Sequence, residues 1–289
     1  MEFEMMNIQW YPGHMTKTRR QIEADLKLVD AVCEIVDARI PISSRNPDID
    51  AICGNKPRII ILNRMDLADP NVTKRWQEYF RAKGIASVAT DCKSRKGISH
   101  FEPTVRSVLK DKIARNAEKG MNKPLRIMIV GIPNVGKSTL INQISGRKGA
   151  KAENRPGVTR GKQWVTVNNG LLLLDTPGIL WPKFEDPQVG MMLAYTGAVK
   201  ENVIDTEELA CKLMELLWRY YPDVVKERYK IDVPSGTPGY EMLEEAGRKR
   251  GFLMARGEIN TERMAKVLLD EYRSGKLGHF TFETPEEMQ

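Results

Sequence analysis

Apolar residues fall along this chain in two different rhythms. Up to about residue 180, short apolar runs recur between polar stretches, at 32–38, 58–63, 85–90, 125–131, 163–167 and 171–175. Several are rich in Ile and Val and have strand length, which predicts six strands. Between most of them lie amphipathic stretches such as 72–83 and 98–115, and another at 16–28 leads into the first strand. This alternation predicts βαβ units around a largely parallel sheet. The last two runs are separated only by Asn168-Asn169-Gly170, so they should pair as an antiparallel hairpin. The polar stretch 115–123 reads as a surface linker.

Beyond residue 180 the strand pattern stops. Apolar residues at 207–221, 238–249 and 260–273 recur at helical spacing, which predicts a bundle whose Leu, Met, Trp and Tyr stripes form a core. The expected division is therefore an α/β domain over 1–180 and an all-helical domain over 181–289. A length of 289 residues, 41% hydrophobic, suits two packed domains.

Charge changes the picture more than composition does. The net charge is +7, but residues 1–178 hold 30 Lys and Arg against 18 acids, while 179–289 hold 15 against 20. The two parts are thus +12 and −5, and the first is suited to a polyanionic partner. No apolar run approaches the ~20 residues that cross a bilayer. The first ten residues, MEFEMMNIQW, are acidic where a signal peptide is basic, and a cytoplasmic location is expected. Cys33, Cys53, Cys92 and Cys211 are far apart and read as reduced thiols.

The segment Gly131-Ile132-Pro133-Asn134-Val135-Gly136-Lys137-Ser138 follows the fourth strand and precedes the helical residues Thr139 to Ile144. It matches the GxxxxGKS phosphate-binding loop. Its glycines let backbone N–H groups turn toward a β-phosphate, and the following helix adds its positive end. Lys137 spans the β- and γ-phosphates, and Ser138 coordinates Mg²⁺.

Asn63-Arg64-Met65-Asp66 follows the second strand and resembles the NKxD motif of GTPases, with Arg in place of Lys. There the Asp carboxylate accepts hydrogen bonds from guanine N1 and N2, donors that adenine lacks. Asp175-Thr176-Pro177-Gly178 ends the sixth strand and resembles DxxG, in which Asp175 holds Mg²⁺ through water and the Gly178 N–H meets the γ-phosphate. Thr159 lies where a switch threonine binds Mg²⁺. Asp91-Cys92-Lys93 follows the third strand in place of the SAK motif, without its Ser. The resulting nucleotide-binding set is Asn63, Arg64, Asp66, Cys92, Lys93, Asn134, Val135, Gly136, Lys137, Ser138, Thr139, Thr159 and Gly178.

The order of these motifs is abnormal, because NRMD and DCK precede the phosphate loop, Thr159 and DTPG. Each block keeps its internal order, which is a circular permutation of the Ras-like arrangement. Together with Trp10-Tyr11-Pro12-Gly13-His14-Met15 and Asp37-Ala38-Arg39-Ile40-Pro41, this resembles the circularly permuted GTPases of the ribosome biogenesis GTPase A family. The resemblance implies GTP hydrolysis to GDP, Mg²⁺, and work on the large ribosomal subunit precursor with 23S rRNA and ribosomal proteins as contacts. It also implies K⁺ at Asn134 beside the α- and γ-phosphates.

Ile179 follows DTPG where Ras-like enzymes carry the water-orienting Gln, so His14 becomes a candidate for that task beside Lys137, Thr159 and Gly178. The basic groups Arg147, Lys148, Lys151, Arg155, Arg160 and Lys162, and a second cluster Arg248-Lys249-Arg250 with Arg256, are candidate phosphate contacts. A monomer is expected. Two other readings stay open: a GTPase in tRNA modification or small-subunit assembly, and a nucleotide-gated RNA-binding scaffold with negligible turnover.

Overall fold

The computed structural model describes residues 20–146, 163–167, 170–176, 178, 186–199, 205–254 and 257–288. Among the described residues six strands are present: β1 (Ala31–Asp37), β2 (Arg58–Asn63), β3 (Ala86–Thr90), β4 (Leu125–Val130), β5 (Gln163–Val167) and β6 (Leu171–Asp175). They form one sheet in the order β3-β2-β1-β4-β6-β5. Neighbouring strands are parallel except for the antiparallel pair β5 and β6.

The chain builds outward from β1 to β3 and then restarts at β4 on the other side of β1. The strand order therefore reverses between β1 and β4, and in open sheets ligands bind outside the carboxyl ends of the strands at such a point. Because helices cover both faces, every residue of β1 is buried, and this explains its nearly continuous apolar run. Glu34 interrupts the run. Its carboxylate is paired with Arg45 and Arg58, and Asp50 bonds the same two arginines, so its charge is buried with partners.

Residues 20–26 are helical (α1), followed in this unit by α2 (Ile49–Cys53), α3 (Pro70–Ala82), α4 (Phe101–Val108), α5 (Lys110–Glu118) and α6 (Lys137–Ser145). In α3 the Asp69 side chain caps the N–H groups of Asn71 and Val72, Pro70 occupies the first turn, and Val72, Trp76 and Phe80 face inward four residues apart. The single helix expected over 98–115 is in fact a 3-10 turn at Ile98–His100, then α4 and α5, interrupted at the buried Leu109. Residues 115–118, expected in a linker, are the end of α5, which buries none of its residues. Lys, Arg, Glu and Ala propagate a helix without a core contact, so polarity alone was a poor sign of a loop.

The second unit comprises α7 (Pro187–Tyr195), α8 (Thr206–Tyr220), α9 (Pro222–Tyr229), α10 (Gly239–Lys249) and α11 (Thr261–Ser274). Leu209, Leu213 and Leu217 of α8 pack with Met242, Leu243, Leu268 and Tyr272 in its core. Neither α7 nor α9 shows in the sequence pattern, because each spans only about two turns. α7 is held from outside itself, since the Arg273 guanidinium donates to the last carbonyls, Ala194 (2.7 Å) and Tyr195 (2.9 Å). The chain then returns: the described residues from Glu283 onward belong to the sheet unit. There the Glu283 carboxylate accepts the N–H groups of Ile42 (2.6 Å) and Ser43 (3.0 Å), and its carbonyl accepts Trp76 Nε1–H.

The cluster Arg248-Lys249-Arg250 is less available to phosphates than its sequence implies. Arg248 pairs with Glu244 and Glu245, Lys249 with Glu245, and Arg250 with Glu271. Glu271 also accepts hydrogen bonds from Arg228 and Tyr229. Burial opposes its charge, yet these bonds and the charges of Arg250 and Arg228 hold its carboxyl below the ordinary value. A depressed carboxylate contributes stability that is present above the unfolded value, about 4.3, and lost as pH falls through the folded one. Glu271→Gln is therefore expected to speed hydrogen exchange of α11 amides at pH 7, with the gap from the wild type closing below about pH 4. A gap of constant size across that range would show that Glu271 does not act through its charge.

Candidate functional site

The two blocks of motifs meet at the carboxyl edge of the sheet. Asn63, the last residue of β2, donates from Nδ2 to the carbonyl of Val135 at 2.8 Å, although the two lie 72 residues apart in sequence. Asn63 is itself held, because its Oδ1 accepts the buried Thr90 hydroxyl at the end of β3 (3.2 Å). Arg64 donates from Nη2 to the carbonyl of Asn134 at 2.8 Å. Both Arg64 and Asn134 have φ of 60°, in a left-handed region sparsely populated by residues other than glycine and enriched at ligand sites.

Gly136 shows why this contact demands its residue type. A Cβ there would lie 2.4 Å from Asn63 Nδ2, on a backbone with φ of 106°. On the other side, the Thr176 hydroxyl donates to the carbonyl of Ile129 at 2.7 Å and pins the turn after β6 to β4. Gly178 then lies against the phosphate loop, where a Cβ would come within 2.9 Å of both Lys137 Nζ and Pro133 N.

Lys137 begins α6 with its side chain folded back over the loop. Its ammonium donates to the carbonyls of Gly131 (3.1 Å) and Ile132 (3.4 Å). Burial pushes its pKa down to about 8, against the opposing pull of Asp175. Burial likewise pushes Asp175 up, with Lys137 opposing. Ser138 and Thr139 follow in the first turn of α6. A hydroxyl at Ser138 and a carboxylate at Asp175 are hard oxygen donors, the chemistry Mg²⁺ prefers. Among the described residues no group of three or more His, Cys, Asp and Glu is gathered for a metal.

Asp66 is exposed beyond Arg64. Partial desolvation and then the Asp91 carboxylate push its pKa up, while Arg39 and Arg64 pull it back. Asp91 caps its own turn by accepting the N–H groups of Lys93 (2.8 Å) and Ser94 (3.2 Å), and Cys92 is buried in that turn. Thus Asn63, Arg64, Asn134, Val135, Gly136, Lys137 and Gly178 form one contiguous set, with Asp175 acting on Lys137 through its charge. Asp66, Cys92 and Lys93 sit on the neighbouring loops. His14, Thr159, Ile179, Arg256 and the basic group between 147 and 162 lie outside the described residues. Sequence reasoning missed Thr90 and Thr176, whose only signal was a polar residue at or just past a strand end.

A family model described as a 50S ribosome-binding GTPase matches residues 126–221. The match begins within β4 and leaves NRMD and DCK upstream, where an unpermuted motif order has no place for them. The ribosome biogenesis GTPase A of Priestia megaterium is 48% identical over 287 residues, covering 98% of this chain and 99% of that protein. Its counterpart in Thermotoga maritima is 34% identical over 97% of this chain and 96% of that one. Of the solved structures, a GDP-bound YlqF aligns with a TM-score of 0.66 at 29% identity, covering 92% of this chain and 100% of that one. A GNP-bound YlqF from T. maritima aligns with a TM-score of 0.61 at the same identity, covering 93% and 99%. With near-full-length identity on a sheet whose upstream and downstream motifs converge at one edge, the chain belongs to the ribosome biogenesis GTPase A family.

Proposed function

We propose that the chain hydrolyses GTP to GDP and phosphate with Mg²⁺, and that it does so on the assembling large ribosomal subunit in the cytoplasm, contacting 23S rRNA and ribosomal proteins as a monomer. The observation that carries this reading is the hydrogen bond from Asn63 to the Val135 carbonyl, which ties the base-reading block to the phosphate loop despite the inverted order of the two. Asp66 reads guanine, Cys92 offers a backbone N–H to its oxygen, and Arg64 and Lys93 cover the base. The backbone of Asn134 to Thr139 cradles the phosphates, and the Gly178 N–H meets the γ-phosphate.

Lys137 spans the β- and γ-phosphates, and a polyphosphate beside it restores the ammonium charge that burial weakens. Ser138, Thr159 and Asp175 are the residues that would hold Mg²⁺, which neutralises charge developing on the phosphate oxygens. Asn134 is the candidate for a K⁺ contact. The +12 charge of residues 1–178 supports an RNA partner for the unit that carries the site.

The test is GTP hydrolysis measured with and without isolated large subunits, in K⁺ and in Na⁺ at equal ionic strength. Large subunits should stimulate turnover roughly tenfold or more, which is about 1.4 kcal/mol off the barrier, and small subunits should not. Stimulation by small subunits instead would move the function to their assembly. Negligible turnover under every condition would leave a nucleotide-gated scaffold. Faster hydrolysis in K⁺ is expected, and equal rates in the two salts would remove the cation from Asn134.

A further inference from the structure

The Asp37-Ala38-Arg39-Ile40-Pro41 motif has no part in the nucleotide chemistry described above, yet it contains a fully buried ion pair. Asp37 ends β1, and β1 lies between β2, which leads into Asn63-Arg64-Met65-Asp66, and β4, which leads into the phosphate loop. Arg39 is 0% exposed and folds back on Asp37. Its Nε donates to Oδ1 at 2.9 Å, its Nη2 to Oδ2 at 2.7 Å and its backbone N–H to Oδ1 at 3.0 Å. A bidentate pair of this kind fixes the plane of the carboxylate.

The same Oδ2 lies 3.7 Å from Nη1 of Arg64, a different nitrogen from the Nη2 that bonds Asn134. The Arg64 guanidinium thus addresses a fixed carboxylate with one nitrogen and the phosphate loop with another. A lysine ammonium is a single point charge and is poorly suited to both tasks at once. That accounts for the arginine at a position where the motif ordinarily has lysine.

We propose that Asp37, fixed by Arg39, is a positioning residue for the nucleotide site: it holds the Arg64 guanidinium across the phosphate loop and thereby slows release of the guanine nucleotide. The proposal rests on the base-site reading given above. Burial alone would push the Asp37 carboxyl up, but the charges of Arg39 and then Arg64 outweigh it and hold the carboxyl low. The carboxylate therefore stays ionised at neutral pH, as an electrostatic clamp requires. Asp66 feels the charges of both arginines as well, so the clamp also bears on the residue that reads the base.

A double-mutant cycle on the dissociation rate of a fluorescent N-methylanthraniloyl GDP tests this in the full chain. Asp37→Asn should speed release roughly tenfold in the wild-type background, within the range for residues in direct contact, and change it less than about twofold in an Arg64→Ala background. A structural contribution unrelated to Arg64 gives the same factor in both backgrounds, and that result, or an unchanged rate in Asp37→Asn, overturns the proposal.

Should Asp37→Asn lose its circular dichroism spectrum, the measurement moves to Arg64→Ala, an alteration at a partly exposed position. The acid midpoint of the Asp37 carboxyl ¹³C resonance should then rise relative to the wild type. A midpoint that stays in place overturns the clamp. Wild-type protein that fails to retain the fluorescent GDP at all would overturn the base-site reading itself, and the clamp's role in nucleotide release with it.

Discussion

Asp66→Asn is expected to turn a guanine-binding chain into one that prefers xanthine nucleotides. The carboxylate at this position accepts from guanine N1–H and from its exocyclic amine, whereas an amide offers one acceptor and one donor group. Xanthine has an oxygen where guanine has the amine, and the amide N–H pairs with it. Because a site built on hydrogen bonds leaves its own groups unpaired when the wrong base enters, the loss for GTP should approach roughly 10⁴-fold. Competition of GTP, XTP and ATP against a fluorescent nucleotide reads this directly. Partial desolvation and the neighbouring Asp91 raise the Asp66 pKa, so wild-type affinity for GTP should also fall as pH drops through that raised value. A wild type that binds ATP as tightly as GTP, or a variant with unaltered preference, would show that Asp66 does not read the base.

His14→Ala should leave GTP affinity in place and cut subunit-stimulated turnover by roughly 10² to 10⁴-fold, the range for losing a positioned acid-base group. The argument starts from Ile179, whose aliphatic side chain cannot orient an attacking water where Ras-like enzymes use Gln. His14 stands in a Trp-Tyr-Pro-Gly-His-Met segment immediately before the residues that lead into β1. Single-turnover hydrolysis on saturating large subunits separates the chemical step from binding. Wild-type rates in the variant would leave His14 with a packing or RNA-contact role.

Much of the fold was written in local patterns. Six apolar runs became six strands, and the Asn168-Asn169-Gly170 turn correctly marked β5 and β6 as the antiparallel pair. Three long amphipathic stretches became α8, α10 and α11. Gly131 to Ser138 was legible as a phosphate loop because its chemistry is carried by neighbours in sequence between a strand and a helix. These features depend on periodicity and backbone freedom over a few residues, which a sequence displays directly.

Other features rest on contacts between distant residues, and the tertiary structure decided them. It showed that Asn63 grips Val135 and that Gly136 must lack a side chain beside Asn63. It showed that the Asp37 carboxylate is bound by Arg39 and also faces Arg64 of the next strand's loop. It also paired Arg250 with Glu271 of another helix, beside the one-turn pairs of Arg248 and Lys249 with Glu244 and Glu245. Arg273 caps the last carbonyls of α7 from another helix, and the chain from Glu283 onward is anchored on the sheet unit by Ile42, Ser43 and Trp76. Where the partner lies dozens or hundreds of residues away, as for Asn63, Arg64, Arg250, Arg273 and Glu283, the energy of the polar or charged group is set by whichever partner the fold brings near it, and sequence spacing carries no record of that partner.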